Sequence, residues 1–155
     1  MTEHLEANKS VVRRLIEEGF NDGNLDTVTE VVAPDVVTHN PIILDAPSGA
    51  DSLRGGIEMI HKAFTDVEVE IKDIVAEGDR VATFMQFSGT NVGDYRRGGA
   101  TGKHTSFRGF FIWRLEDGKI AESWGVADRL DALQQLGMVP PDDEIAAGMP
   151  EPGSG

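Results

Sequence analysis

Asp128 is the residue in this chain best placed for proton-transfer chemistry. It is the seventh residue of the stretch E-S-W-G-V-A-D-R-L that starts at Glu122, two residues after Val126 and four after Trp124. The upstream turn sets which side chains stand beside it. With Asp117-Gly118 as a two-residue hairpin loop, Leu115 pairs with Ile120, Trp113 with Glu122, Phe111 with Trp124, Gly109 with Val126 and Phe107 with Asp128. Paired residues share a face of a sheet. One face then gathers Phe107, Phe111, Trp113, Trp124, Val126 and Asp128. The other carries Arg108, Phe110, Ile112 and Arg114 with Ala121, Ser123, Gly125 and Ala127, a mixture suited to packing against helices or a second subunit. A carboxylate among the first set would be desolvated, which raises its pKa toward that of a general acid or base at neutral pH. The same aspartate also stands where a helix begins, and aspartate is a favoured helix N-cap. The spacing is compatible with both roles.

Four histidines are the next candidates. His39 precedes Asn40-Pro41 after a short apolar run. His104 lies just before Phe107 but, by alternation, on the opposite face. His61 sits at the edge of an apolar helical face, and His4 is near the terminus. Their spacing matches no metal-binding motif. No G-x-G-x-x-G opens a helix, no P-loop is present, and no serine sits in a G-x-S-x-G elbow. Cysteine is absent, which removes disulfides, thiolate metal sites and cysteine nucleophiles.

The 155 residues suit one domain with a substantial core. A net charge of −13 argues against nucleic acid or an anionic membrane as partner. No signal peptide or spanning segment is visible, so a cytoplasmic location is expected. Residues 140–155 hold Asp142, Asp143, Glu144, Glu151 and four prolines without a basic residue. They are expected to form a flexible acidic tail after a single domain at 1–139.

The elements that must position these residues follow from periodicity. Helices are expected over 3–21 and from Leu25 to the stop at Pro34, with a short strand at Val36–Thr38 and a loop over 42–50. A third helix starts at Asp51 or Ser52, with Leu53, Ile57, Ile60 and Phe64 on one face. Alternation from Val67 then marks a strand. Further strands are expected at 80–90, 103–115 and 119–127, with a mobile glycine-rich loop at 91–102. A last helix carries Leu130, Leu133 and Leu136 to Gly137. The expected class is α+β: a curved antiparallel sheet wrapped around N-terminal helices as an open-ended cone, closed by a short C-terminal helix.

Several segments carry a family resemblance: N-K-S-V-V-R-R-L-I-E-E-G-F-N-D-G-N-L-D, A-P-D-V-V-T-H-N-P, F-T-D-V-E-V-E-I-K-D-I-V-A-E-G-D-R-V-A, T-G-K-H-T-S-F-R-G-F-F-I-W-R-L-E-D-G-K-I-A-E-S-W and D-R-L-D-A-L-Q-Q-L-G. Over roughly residues 8–139 the chain resembles the SnoaL-like polyketide cyclases, or ester cyclases, which have the cone fold of nuclear transport factor two. The resemblance implies a cofactor-free intramolecular aldol condensation, without metal, on a small aromatic or polyketide-like molecule, and a homodimer. It implies Asp128 as general acid/base and His39 as a further catalytic or substrate-binding group. Trp124, Phe107 and Phe111 would hold the substrate, aided by His104, Asn40 and Met85. Isomerase, dehydratase and epoxide hydrolase chemistry are neighbouring alternatives on this fold. Outside catalysis stand a small-molecule binder using the same pocket and a protein-interaction module using the outer sheet face. The loop D-Y-R-R-G-G-A from Asp94 departs from what the family leads one to expect. Its two arginines could meet a carboxylate or phenolate, or simply be solvated.

Overall fold

A computed structural model of the chain describes residues 2–42, 46–96 and 98–153. Part of the expected 42–50 loop, part of the 91–102 loop including Arg97, and the last two residues lie outside the described residues.

Helix α1 (Thr2–Arg14) runs directly into a π-helical stretch (Leu15–Asn21). Val12, Leu15 and Ile16 are fully buried along this face. Asn21 fixes its end to the sheet: its Nδ2 donates to the Val69 carbonyl at 3.0 Å and its Oδ1 accepts from the Val69 N–H at 2.6 Å. Asn24 caps α2 (Leu25–Val31) by accepting from the N–H groups of Asp26 and Thr27. The chain then turns into β1 (Val32–Thr38), so Pro34 lies within a strand and does not end the second helix. Edge strands tolerate proline because one side of their backbone needs no ladder donor, and β1 is an edge of the sheet. Helix α3 (Ala50–Ala63) follows, with Ile57 at its buried centre.

Strands β2 (Phe64–Glu77), β3 (Arg80–Asn91), β4 (His104–Glu116) and β5 (Lys119–Ala127) form an antiparallel run, and β1 adds parallel to β5 in the order β1-β5-β4-β3-β2. The sheet curves without closing, and the helices fill its concave side. That is the α+β cone expected from the sequence. Asp117 and Gly118 both have positive φ, 51° and 77°, the conformation a two-residue hairpin loop needs.

Beyond the turn the pairing departs from simple counting. Leu115 faces Ile120, but Arg114 faces Glu122, so Ala121 is the extra residue of a β-bulge. Every later pair is displaced by one: Trp113 with Ser123, Ile112 with Trp124, Phe111 with Gly125, Phe110 with Val126 and Gly109 with Ala127. A one-residue slip moves a strand's side chains to the other face. Trp124 and Val126 are therefore on the convex face, with Phe110 and Ile112. Ser123, Gly125 and Ala127 are on the concave face, under Phe111 and Trp113. Large residues of β4 thus meet small ones of β5 inside.

Asp128 caps α4 (Arg129–Gln135), with Oδ1 accepting from the Asp131 N–H at 3.1 Å. Gln135 ties α4 to β4. Its Oε1 accepts from the Ser106 N–H at 2.7 Å and its Nε2 donates to the Ser106 carbonyl at 2.8 Å. Leu136 packs on Ala63 and Phe64, closing one end of the cone. Gly137, at φ 73°, ends the helix as expected. An exposed helix, α5 (Asp142–Ala147), lies in the acidic tail where the sequence reading placed none. Gln134 tethers its first turn through Asp142. No helix of the described residues is long and apolar enough to cross a membrane.

The close approach of Gly125 to Phe111 is a testable consequence of the bulge. A Cβ at residue 125 would overlap the Phe111 ring, which is stacked on Trp113 with centroids 5.6 Å apart. Gly125→Ala is expected to lower stability by about 1–3 kcal/mol, the usual range for overpacking, as measured by urea unfolding.

Candidate active site

The concave face and α3, α4 and the π-helical stretch enclose a cavity of about 150 Å³. Phe87, Met85, Phe107, Phe111 and Trp113 form its sheet wall, while Ile16, Phe20, Ile60 and Leu136 face them from the helices. The rings are held in sequence: Phe87 stacks on Phe107 at 5.2 Å, and Phe111 on Trp113. The one polar atom of Trp113 is spent within the wall, where Nε1 donates to Thr83 Oγ1 at 3.0 Å. Such a surface suits a flat apolar body.

Polar groups stand at few points. Asn40 reaches the cavity from the end of β1, and its Oδ1 is shielded from solvent without a hydrogen-bond partner among the described residues. Leaving a buried acceptor unpaired costs roughly 1–3 kcal/mol, so a ligand donor here is favoured. Glu68, Ser88, Thr105, Tyr95, Arg96 and Arg129 complete the polar part of the lining. The loop bearing Tyr95 and Arg96 is anchored by buried Asn91. Its Nδ2 donates to the carbonyls of Ala63 and Gly93, and its Oδ1 accepts from the N–H and hydroxyl of Thr101. Tyr95 then packs edge-on against Phe64 at 5.0 Å.

The residues singled out in the sequence divide between two places. Phe107, Phe111, Met85 and Asn40 line the cavity. Trp124 and His39 do not. They line an open groove on the convex face with Phe84, Phe110, Ile112 and Val126. This corrects the face assigned to Trp124, and the cause is the bulge at Ala121. His39 stacks on the Trp124 ring at 5.2 Å and 8°, and its Nε2 lies 2.7 Å from Glu122 Oε2. Arg80 covers Trp124 as well, 5.0 Å from the ring centroid. His104 is exposed, its Nδ1 3.2 Å from Thr90 Oγ1, and is absent from the cavity lining.

Asp128 is exposed, not desolvated between Phe107 and Trp124 as the simple register required. Its neighbours Ala127 and Arg129 both line the cavity, while Asp128 itself is not among the lining residues. One carboxylate oxygen is used by the cap, and the other has no partner among the described residues. Arg129, Tyr95, Thr105 and Phe87 are lining residues that the sequence reading missed. The alternation of Phe87 with Met85 was a usable signal for that residue. Tyr95 and Arg129 come from a loop and a helix start, where no periodicity points inward. Among the described residues, no three histidine, aspartate or glutamate side chains gather closely enough to hold a metal ion.

The comparisons with known proteins agree with this geometry. The family model of the SnoaL-like polyketide cyclases matches residues 10–136, and the chain belongs to that family. No curated protein matches it. Among solved structures, TsrD from Streptomyces laurentii is 25% identical with a TM-score of 0.80, over 86% of this chain and 97% of that one. IdmH from Streptomyces antibioticus, a proposed polyketide cyclase, is 31% identical with a TM-score of 0.72, over 84% and 98%. AclR from Streptomyces galilaeus, a proposed hydroxylase, is 27% identical with a TM-score of 0.77, over 92% and 90%.

Glu122 gives the convex-face cluster a pH signature. The hydrogen bond from His39, followed by that from Arg114 Nε at 3.1 Å, holds its carboxyl below the ordinary 4.5. A depressed carboxyl pKa contributes stability that is complete above the unfolded value and is lost as pH falls through the folded one. The unfolding free energy should therefore fall below about pH 4.5, and less steeply in Glu122→Gln. Urea melts of both proteins down to about pH 3 would check this. Solvent reaches the pair, so the difference is expected to be small.

Proposed function

We propose that this chain is a cofactor-independent cyclase that closes a ring in a flat, polyketide-like molecule held in the concave cavity. The observation that carries the reading is an aromatic-walled cavity with a buried, unpaired acceptor, Asn40 Oδ1, in a member of the polyketide cyclase family. Phe107, Phe111 and Met85 contact the substrate body, and Asn40 accepts from one of its hydroxyl groups. Asp128, between the lining residues Ala127 and Arg129, takes a proton from the carbon beside a carbonyl. The resulting enolate carbon attacks a second carbonyl of the same molecule, forming the carbon–carbon bond. The new alkoxide then takes the proton back from Asp128. Holding both reacting ends of one molecule together supplies much of the acceleration. The working domain in this reading is residues 1–139, with 140–155 as its tail.

Asp128 is at once cap and base here, and the two roles separate experimentally. Asparagine caps helices about as well as aspartate but cannot act as the base. Asp128→Asn is expected to keep stability within about 0.5 kcal/mol and to lower ring closure on a polyketide-like substrate by about a hundredfold or more. Asp128→Ala should lose both activity and about 1 kcal/mol of stability. Turnover followed by absorbance, with thermal melts alongside, checks both. The exposure of Asp128 favours one alternative, a binding protein with the same cavity. Unchanged turnover in Asp128→Asn would remove the base assignment. Retained aromatic binding without any ring closure would favour the binder.

The convex groove belongs, in this reading, to a homodimer. Phe110 is 62% exposed and Val126 76%, beside exposed Ile112 and Val75. A continuous apolar patch of this kind marks an interaction surface. His39 and Trp124 then act at the interface and not on substrate. The double variant Phe110→Glu, Val126→Glu is expected to sediment as a monomer where the unaltered chain sediments as a dimer.

A further inference from the structure

Among the described residues, the cavity lining holds a half-buried cation without a carboxylate partner, and this points to the charge of its ligand. The chain has 27 acidic residues against 14 lysines and arginines, so carboxylates are abundant. Arg14, Arg54, Arg80 and Arg114 each pair with at least one. Arg13 and Arg108 pair with no carboxylate among the described residues but are exposed. Arg129 is different. It is half-buried in the cavity lining, and the polar contact of its guanidinium is a long hydrogen bond, Nη2 to the Pro41 carbonyl at 3.4 Å. It pairs with no described carboxylate. Arg96, on the same lining, pairs with none either; its guanidinium rests 5.5 Å from the Tyr95 ring centroid. The one acid among the described lining residues is Glu68, which is exposed. The lining therefore carries one half-buried arginine, Arg129, and one exposed arginine, Arg96, against one exposed carboxylate, inside a protein whose overall field repels anions.

We propose that the cavity takes an anionic ligand, a flat apolar acid whose carboxylate is held by Arg129 and assisted by Arg96. A guanidinium presents paired donors that match a carboxylate in two-point geometry, and a half-buried one is less screened than a surface cation. Asn40 is next in sequence to Pro41, the residue Arg129 touches, so the charged group and the unpaired acceptor stand at the same end of the cavity. That arrangement fits an acid with a hydroxyl close to its carboxylate. The proposal rests on the cavity being the substrate site, and it adds the substrate's charge class.

The test compares 2-naphthoate with neutral 2-naphthamide, two probes of the same shape, binding to the full chain at pH 7. Calorimetry supplies the affinities, and amide chemical-shift changes supply the location. The acid is expected to bind about tenfold tighter or more, since a hydrogen-bonded ion pair is being formed. Arg129→Gln should erase that preference while leaving amide affinity within about twofold, which also shows that the variant is folded. Arg129→Lys should keep part of the preference, and Arg96→Gln should reduce it. Amide binding as tight as acid binding in the unaltered protein would overturn the proposal and leave the cavity assignment standing. An acid preference that persists in both Arg129→Gln and Arg96→Gln would place the anion elsewhere and also overturn it. If neither probe perturbs the cavity residues, the cavity assignment itself fails and the proposal falls with it.

Discussion

The pairing of β4 with β5 is the constraint on which the rest of this molecule depends. A tight turn at Asp117-Gly118 starts the ladder, and one extra residue at Ala121 resets it. From that point outward, bulky β4 residues on the concave side face serine, glycine and alanine. On the convex side, Ile112 and Phe110 face Trp124 and Val126. Had the ladder continued without the bulge, Trp124 would have shared the concave side with Phe111 and Trp113, and three large rings would have competed for the space the cavity occupies. The cavity exists because glycine at 125 leaves room for the Phe111 ring.

Polar residues do most of the assembly around that apolar space. Asn21 joins the π-helical stretch to β2, Asn91 holds both ends of the loop that brings Tyr95 and Arg96 to the lining, and Gln135 seats α4 on β4. Each uses a side-chain amide to bond backbone groups of another segment, which is what buried amides must do to be tolerated. Asn40 is the exception. Its oxygen is buried and unpaired among the described residues, beside a cavity where a ligand can supply the donor. Charge is likewise uneven. Carboxylates dominate the surface, while the cavity lining keeps two arginines without acid partners among the described residues. A strongly acidic protein that leaves cations at its cavity has an electrostatic preference opposite to that of its surface.

The cap at Asp128 ties fold to chemistry. The residue that starts α4 lies between two residues that line the cavity, Ala127 and Arg129, while its own side chain is exposed. Its free oxygen is available to a substrate, and its exposure means that the surrounding protein does little to desolvate it before a ligand arrives. A bound aromatic body would itself exclude water from this position, so substrate binding and activation of the base are coupled in the proposed reaction.

By itself, the sequence determined the element order as far as Gly137, the α+β class, the turn at Asp117-Gly118, the cap at Asp128 and the stop at Gly137, because these rest on local periodicity and on residue types with few conformational choices. It also carried the family, whose signal is spread over most of the chain. It placed Phe107 and Phe111 on a common face, since alternation survives within an unbroken strand. What only the tertiary structure decided was which side of the sheet Trp124 and His39 occupy, that Asp128 is exposed, and that Tyr95 and Arg129 reach the cavity. A bulge shifts a strand by one residue without a periodic trace, and a one-residue shift exchanges the faces. A loop residue and the first residue of a helix have no repeating pattern to aim them. Their direction follows from distant contacts, those of Asn91 with Ala63 and Thr101 and of Gln135 with Ser106, which only the folded chain brings together.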